Sequence, residues 1–277
     1  MDTEFGYWQR INRNLGIISY SDQRRLKHAA VAIAGCGGMG GLIAERLVRA
    51  GIGKIILADN QQFEISNLNR QFASKRKTIG ANKALSVRDE IREIVPANEC
   101  AVTVLTQGVT EKNAAEFVRS ADIVCDEIEF FEIAARVHLH KAARAAGLRV
   151  LNCNVVGFGT RIFLFTPASM TMEDFLEVEA ETPLDENVIS RLVSRLAPEL
   201  PAYMNQDLIY DWVFKNHRAP IFGVTPALSA GIVANRVVIE LLGADGKPEI
   251  EPLVPMPAYV AFDCANFKVS KFVGKWW

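Results

Sequence analysis

Six consecutive residues, Gly35-Cys36-Gly37-Gly38-Met39-Gly40, match the pattern G-x-G-x-x-G, and Asp59 follows 19 positions after the last glycine. Glycine permits a tight turn and a close approach of the backbone to a phosphate, whose charge the N–H groups of a helix start can hold. A carboxylate at about that distance accepts hydrogen bonds from ribose hydroxyls. The pattern points to an adenosine nucleotide and leaves NAD and ATP open. Arg70 comes 11 residues after Asp59, and Lys83 comes 13 further on, in the run Gly80-Ala81-Asn82-Lys83. One helix N-terminus can largely accommodate a pyrophosphate, whereas a triphosphate brings about four negative charges and calls for Lys, Arg and a divalent metal. Either basic residue alone would read as a solvated surface charge. The acidic run Asp126-Glu127-Ile128-Glu129 adds carboxylates that could hold Mg²⁺ through oxygen. If the run stays extended, Glu127 and Glu129 share one face and Asp126 and Ile128 the other.

These residues need elements to carry them, and the hydrophobic pattern supplies them. AVAIA (30–34) predicts a strand that runs into the glycine turn, and LIAERLVRA predicts the helix after it, stopped by Gly51. KIILA (54–58) predicts a second strand ending on Asp59. A helix over 81–95 stops before Pro96. The alternation continues with a strand at 101–105, a helix at 111–119 capped by Thr110, a strand at 121–126, a helix at 131–146 ended by Gly147 and a strand at 148–153. Such alternation predicts an α/β fold, a Rossmann-like doubly wound, mostly parallel sheet. RIFLF (161–165) reads as one more strand, and 171–218 as helical pieces between prolines. Thr225-Pro226 reads as an N-cap and first-turn proline for a core helix that runs to Gly243. The alternating YVAFDCANFKVSKFV predicts a C-terminal hairpin. The expected organisation is one domain over 1–277: an N-terminal helical segment (1–28), a nucleotide-binding core (29–168), a helical insertion or lid (169–222) and a C-terminal helix with strands (223–277).

The ordered set RINRN (10–14), GCGGMG, Asp59, SNLNRQ (66–71), GANK (80–83) and an acid after the strand at 121–126 resembles the ThiF/MoeB family of ubiquitin-activating-type adenylyltransferases. The resemblance covers roughly residues 8–165, with a weaker echo in the helix at 223–243. It implies that Gly35, Gly37, Gly38, Gly40 and Asp59 hold ATP, with Asp59 on the ribose. It also implies that Asn67, Arg70, Gln71 and Lys83 surround the phosphates, that Glu129 takes the metal position, and that Arg13 reaches the phosphates of a neighbouring subunit in a homodimer. Arg13, Arg70 and Lys83 would be the catalytic set, neutralising charge on the phosphates together with Mg²⁺. The chain departs from the family pattern in carrying Glu129 for the usual Asp, Gln61 where a second acid often follows, no C-x-x-C zinc motif, and no cysteine between Cys153 and Cys264. No structural zinc and no thioester or persulfide step are therefore expected.

The implied reaction is attack of a substrate carboxylate on the α-phosphorus of ATP, giving an acyl-adenylate and pyrophosphate. A carboxylate with a pKa of about 4 is already ionised at neutral pH, so four histidines suffice without any serving as base. His138 and His140, two apart on a helix, do not share a face and read as structural or solvent-facing. The partner carrying the carboxylate is left open among a ubiquitin-like sulfur carrier, a peptide, a small acid and a modified tRNA nucleoside. An NAD-dependent oxidoreductase and a nucleotide-binding interaction protein without catalysis are the competing readings. A net charge of −1 gives no global field toward nucleic acid or an acidic membrane. The polar N-terminus and the lack of an uninterrupted apolar run of about 18 residues predict a soluble, cytoplasmic protein.

Overall fold

A computed structural model describes residues 3–243 and 249–274 of the 277. Its centre is an eight-stranded sheet in the order β3-β2-β1-β4-β5-β6-β7-β8. The strands are β1 (Ala30–Ala34), β2 (Lys54–Ala58), β3 (Ala101–Leu105), β4 (Ile123–Asp126), β5 (Val150–Val156), β6 (Gly159–Phe165), β7 (Ala258–Asp263) and β8 (Lys268–Val273). β3 through β5 pair in parallel, and β5 through β8 continue as antiparallel neighbours. β1 is buried at every position, which is why its sequence is continuously apolar rather than alternating. Val31 and Ile33 join a core beneath α3 (Gly40–Ala50), α4 (Lys83–Arg92) and α10 (Thr225–Leu242). Ala32 and Ala34 join the opposite core, formed with α5 (Ala114–Val118), α6 (Ile133–Ala145), α7 (Met172–Leu176) and α8 (Glu186–Leu196). The doubly wound reading and the C-terminal hairpin are both present.

The order reverses between β1 and β4, and at such a switch point the two flanking crossovers leave to opposite faces and open a crevice at the carboxyl ends of the strands. The register Ala34↔Asp126 sets the glycine turn directly beside the acidic run, and Asp126↔Asn152 brings in β5. Before β1, α1 (Thr3–Ile11) and α2 (Tyr20–His28) are joined through a 3₁₀ turn at Asn12–Asn14. The segment between β6 and α10 is helical, as expected, with α7, α8, α9 (Gln206–Tyr210) and a π-helical turn at Asp211–Lys215.

Two expected helix caps are not made. Thr110 does not start a helix at 111: the Asn113 side chain accepts from the Thr110 N–H (2.7 Å) and donates to the Gly108 carbonyl (2.9 Å), closing a turn that delays α5 to Ala114. Thr225 is not an N-cap either. It is the first helical residue, and its hydroxyl donates to the Gly157 carbonyl (3.1 Å), tying α10 to the β5–β6 turn. By length and composition α10 could cross a bilayer, with a mean hydropathy of 1.3. Here Ala230, Val233, Ala234 and Val237 pack into the core, as expected for a core helix.

Candidate functional site

The glycine turn is held by backbone contacts that exclude side chains. Gly35 has φ +95°, and a Cβ there would stand 2.0 Å from the Glu127 carbonyl oxygen. A Cβ on Gly40 would stand 1.8 Å from the Gly35 oxygen. These two glycines make the turn possible, while Gly37 and Gly38 face a cavity of about 470 Å³, a typical size for a small-molecule site. No side chain caps the start of α3, so its first N–H groups remain available to an anion.

Asp59 closes one wall, 8% exposed. Its Oδ2 accepts from the Cys36 N–H (2.7 Å) and its Oδ1 from the Gln61 N–H (2.8 Å), leaving a lone pair on each for a further donor. Burial pushes its pKa up, against the pull of those two bonds and of Lys83. Lys83 opens α4 behind the cap Asn82, whose side chain accepts from the Leu85 N–H and donates to the Asp59 carbonyl oxygen (2.9 Å). The Lys83 ammonium, 5% exposed, donates to Gln61 Oε1 at 2.7 Å. Gln61, standing where an acid often follows, thus holds the lysine without neutralising it. Burial lowers the Lys83 pKa, and Asp59 and Glu129 counter that.

Arg70 donates through Nη1 to the Ser66 carbonyl (3.0 Å) and to Asn69 Oδ1 (2.9 Å), while its buried Nε has no partner. Gln71 Oε1 is likewise buried and unpartnered, and both residues line the cavity. Asn67 is not among the lining residues. Its side chain accepts from the Glu64 N–H (3.0 Å), and its carbonyl receives the N–H groups of Arg70 (3.1 Å) and Gln71 (3.0 Å), so it shapes the turn that presents them. Arg13 is exposed on the 3₁₀ turn and does not line its own chain's cavity.

Strand pairing stops at Asp126, so the extended alternation through the acidic run is not kept: Glu127, Ile128 and Glu129 all line the cavity. Glu129 is exposed, and its charge reaches Asp59, Arg70 and Lys83. Glu127 has a buried, unpartnered Oε1, and burial followed by the neighbouring Asp126 charge pushes its pKa well up. Asp126 turns inward, where Arg136 Nε (3.0 Å), His140 Nε2 (3.0 Å) and the Ile128 N–H (3.2 Å) converge on its carboxylate. Burial would raise the Asp126 pKa, yet Arg136 and His140 hold it below the ordinary carboxylate range. Arg136 also donates to the Ile128 carbonyl (2.7 Å), which fixes the backbone between the two glutamates. Arg136 and His140 stand one helical turn apart on α6, a spacing in the sequence that sequence reasoning passed over and that could have found this cluster. His140 is structural, as expected, whereas His138 lines the cavity, a position that sequence reasoning missed. Among the described residues no group of three or more His, Cys, Asp or Glu could hold a metal by itself.

Beyond Asn154 the cavity wall changes character. Val193 and Ala197, then Leu200 and Met204, then Ile209 and Val213 enclose it from the insertion. That roof is tied down by Arg161, which donates to the carbonyls of Pro198 and Glu199 (both 3.3 Å), and by Tyr203, whose hydroxyl accepts from the Phe158 N–H at 2.8 Å.

The ThiF family model matches residues 11–273. The ThiS sulfur carrier adenylyltransferase of Bacillus subtilis is 32% identical over 186 residues, 65% of this chain and 54% of that protein. The tRNA threonylcarbamoyladenosine dehydratase of the same organism is 34% identical over 133 residues, 48% of this chain and 51% of that one. The chain thus spans about half the length of these curated relatives. Among solved structures, Escherichia coli MccB with MccA-N7isoASN superposes with a TM-score of 0.68 at 23% identity, covering 96% of this chain and 71% of that one. PaaA superposes with a TM-score of 0.66 at 19% identity, covering 97% and 73%. These two likenesses bear on the fold, and the family match extends through the glycine turn, Asp59, Lys83 and the insertion alike. The chain belongs to the ThiF family.

Proposed function

We propose that the chain is an ATP-dependent adenylyltransferase, acting as one adenylation unit on a substrate carboxylate. The observation that carries this reading is the convergence of Lys83, Arg70 and Glu129 on the mouth of a glycine turn whose ribose-side carboxylate, Asp59, is already in place. The unpartnered Arg70 Nε supplies a further donor where phosphates would lie. A nicotinamide dinucleotide gives no use for that cluster. A single exposed carboxylate fits Mg²⁺, which takes its other oxygens from phosphates and water, and Glu129 is the residue that would hold it.

In the reaction, a carboxylate oxygen attacks the α-phosphorus, the bond from that phosphorus to the bridging oxygen breaks, and pyrophosphate leaves with the electron pair. Asp59 orients the nucleoside, the α3 N–H groups hold a phosphate, and Lys83 and Arg70 meet the charge that develops on the departing oxygens. The wall that surrounds the attack point includes Cys153, but burial pushes its thiol pKa well up and the Thr160 hydroxyl sits 2.8 Å from its sulfur. A buried neutral thiol is a poor nucleophile, so Cys153 does not take over the acyl group. Arg13, exposed and outside its own cavity, serves the partner's site in a two-fold homodimer, and Ile17, four residues further along, is 89% exposed. Soluble partners that present a carboxylate, a carrier terminus or a peptide, suit this site. A cytoplasmic location accompanies it.

The test is carboxylate-dependent exchange of labelled pyrophosphate into ATP, with calorimetry of Mg-ATP against NAD. Exchange together with ATP-selective binding is the expected result. Tight NAD binding without ATP binding would return the chain to the oxidoreductase reading, and ATP binding with no exchange to a nucleotide-binding protein without catalysis.

A further inference from the structure

The sheet order ranks what the cavity can hold. Moving from β2 and β1 to β4 and then β5, the cavity is lined by Asp59 and Gly35 just past their strands, then by Glu127 just past β4, then by Asn154 within β5, so the nucleotide end and the insertion end are the two ends of one cavity. A carboxylate that meets the α-phosphorus at the glycine turn must place the rest of its molecule past Glu127, under the insertion. There the wall is Val193, Ala197, Leu200, Met204, Ile209 and Val213. All six side chains are apolar, and Val193, Ile209 and Val213 sit in helical segments whose backbone groups bond within the helix, so the helical part of this wall offers neither side-chain nor main-chain partners. An extended diglycyl tail would leave these aliphatic side chains uncovered and set its amides against the apolar helical part of the wall. The wall suits an aliphatic group instead.

A second observation concerns the waist. Glu127 lines the cavity, and its buried Oε1 has no hydrogen-bond partner. A carboxyl group keeps an accepting oxygen in either protonation state, so a donor on the occupant would satisfy it. The peptide-like position for such a donor is the nitrogen on the carbon that bears the carboxylate.

We propose that the activated carboxylate belongs to an α-amino acid unit with a branched aliphatic, leucine-sized side chain, whose side chain fills the chamber under the insertion while its N–H meets Glu127. This rests on the adenylyltransferase reading and names the substrate class of that site. The unit can be a free amino acid or the last residue of a peptide, since both present the same carboxylate, N–H and side chain.

The experiment is pyrophosphate exchange with Mg-ATP and five probes: L-leucine, N-acetylglycyl-L-leucine, glycine, a peptide ending in Gly-Gly, and 4-methylpentanoate. At least one leucyl probe should support exchange tenfold or more above its glycine counterpart, and the better of the two tells the free acid from the peptide. 4-Methylpentanoate, which keeps the branched chain and lacks the nitrogen, should fall below leucine. Ala197→Phe should collapse the leucine-to-glycine ratio at least tenfold, and Met204→Ala should move the preference toward L-phenylalanine, with ATP binding by calorimetry confirming that each variant is folded. Should Ala197→Phe fail to fold, Met204→Ala carries the test. Exchange that is equal or greater with the glycine probes overturns the substrate class and leaves the adenylyltransferase reading standing. Exchange with no probe, nor with any folded carrier, overturns both.

Discussion

The two ends of the cavity are built by different rules. At the nucleotide end the partners are polar and each is fixed by directed hydrogen bonds: Asp59 accepts from the Cys36 and Gln61 N–H groups, Lys83 donates to the Gln61 side chain, and Arg70 donates to the Ser66 carbonyl and the Asn69 side chain. At the insertion end the wall is aliphatic, spread over 193–213, and held to the sheet by a few long-range contacts from Arg161 and Tyr203. A reaction that is the same for every substrate needs donors placed to a fraction of an ångström, and directed hydrogen bonds supply that. Selection among substrates needs shape and apolar surface, which tertiary packing supplies. The difference teaches that chemistry and specificity can be altered separately in this chain, and each prediction below tests that separation.

The largest expected effect is at the seam between the ends. Arg136, 1% exposed, pairs with fully buried Asp126 and grips the Ile128 carbonyl. Arg136→Met takes the guanidinium from a buried carboxylate and leaves it His140, the Ile128 N–H and the Asn152 amide, and should cost about 3–5 kcal/mol in urea unfolding. The pH dependence follows from the depressed Asp126 pKa. A lowered folded pKa contributes stability that is fully present above the unfolded value of about 3.9 and is lost as pH falls through the folded one. The variant lacks that contribution, so its acid-unfolding midpoint should move to higher pH. An unchanged acid limb would show that Arg136 does not hold the seam.

Next in size are the phosphate-end variants. Lys83→Ala and Arg70→Ala should each lower pyrophosphate exchange by about 10²-fold or more, the scale for removing a charge-stabilising donor from a desolvated site. Wild-type rates in both would mean a solvated charged surface. Arg13→Ala should be nearly inactive as a homodimer, yet mixing it with Lys83→Ala should restore about a quarter of wild-type activity, because about half the dimers are mixed and each has one intact site of two. Recovery of nothing, after mass spectrometry has confirmed subunit exchange, would place Arg13 in its own chain's chemistry. Glu129→Gln should shift the Mg²⁺ titration of exchange to higher concentration by about tenfold. A superimposable titration would move the metal position to Glu127.

Legibility in the sequence followed the same divide. The strand, glycine turn and helix over 30–50 obey local rules of period and backbone freedom, and Asn82 caps α4 one residue before Lys83, as the GANK run suggests. Thr110 and Thr225 misled for different reasons: Asn113, three residues on, remakes the first turn locally, whereas the Thr225 hydroxyl donates to Gly157 across 68 residues. Asn67 has a residue type and position suited to a phosphate, but its amide oxygen accepts from the Glu64 N–H three residues earlier, a local turn contact that the family pattern does not carry. His138 and the aliphatic wall carry no motif at all, since apolar lining is specified by what it packs against.

The smallest effect tests the separation most directly. Tyr203 is about half exposed, stacks on Phe158 at 5.1 Å between ring centroids, and accepts from the Phe158 N–H. Tyr203→Phe removes the acceptor and keeps the stacking. Because Phe158 is itself exposed, water can take the place of the lost oxygen, so the net loss should lie near the low end of ordinary hydrogen bonds, about 0.5 kcal/mol. That loosens the roof at the β5–β6 turn and leaves Asp59, Lys83 and the α3 terminus untouched. The KM for the carboxylate should therefore rise about two- to threefold while the KM for ATP and the Mg²⁺ titration stay at wild-type values. Gly157→Ala gives the stronger form of the same test: Gly157 has φ +58°, and a Cβ there would lie 2.4 Å from the Tyr203 hydroxyl, so it displaces the latch while leaving Phe158 in sequence. If either variant weakens ATP as much as it weakens the carboxylate, the two ends are one mechanical unit.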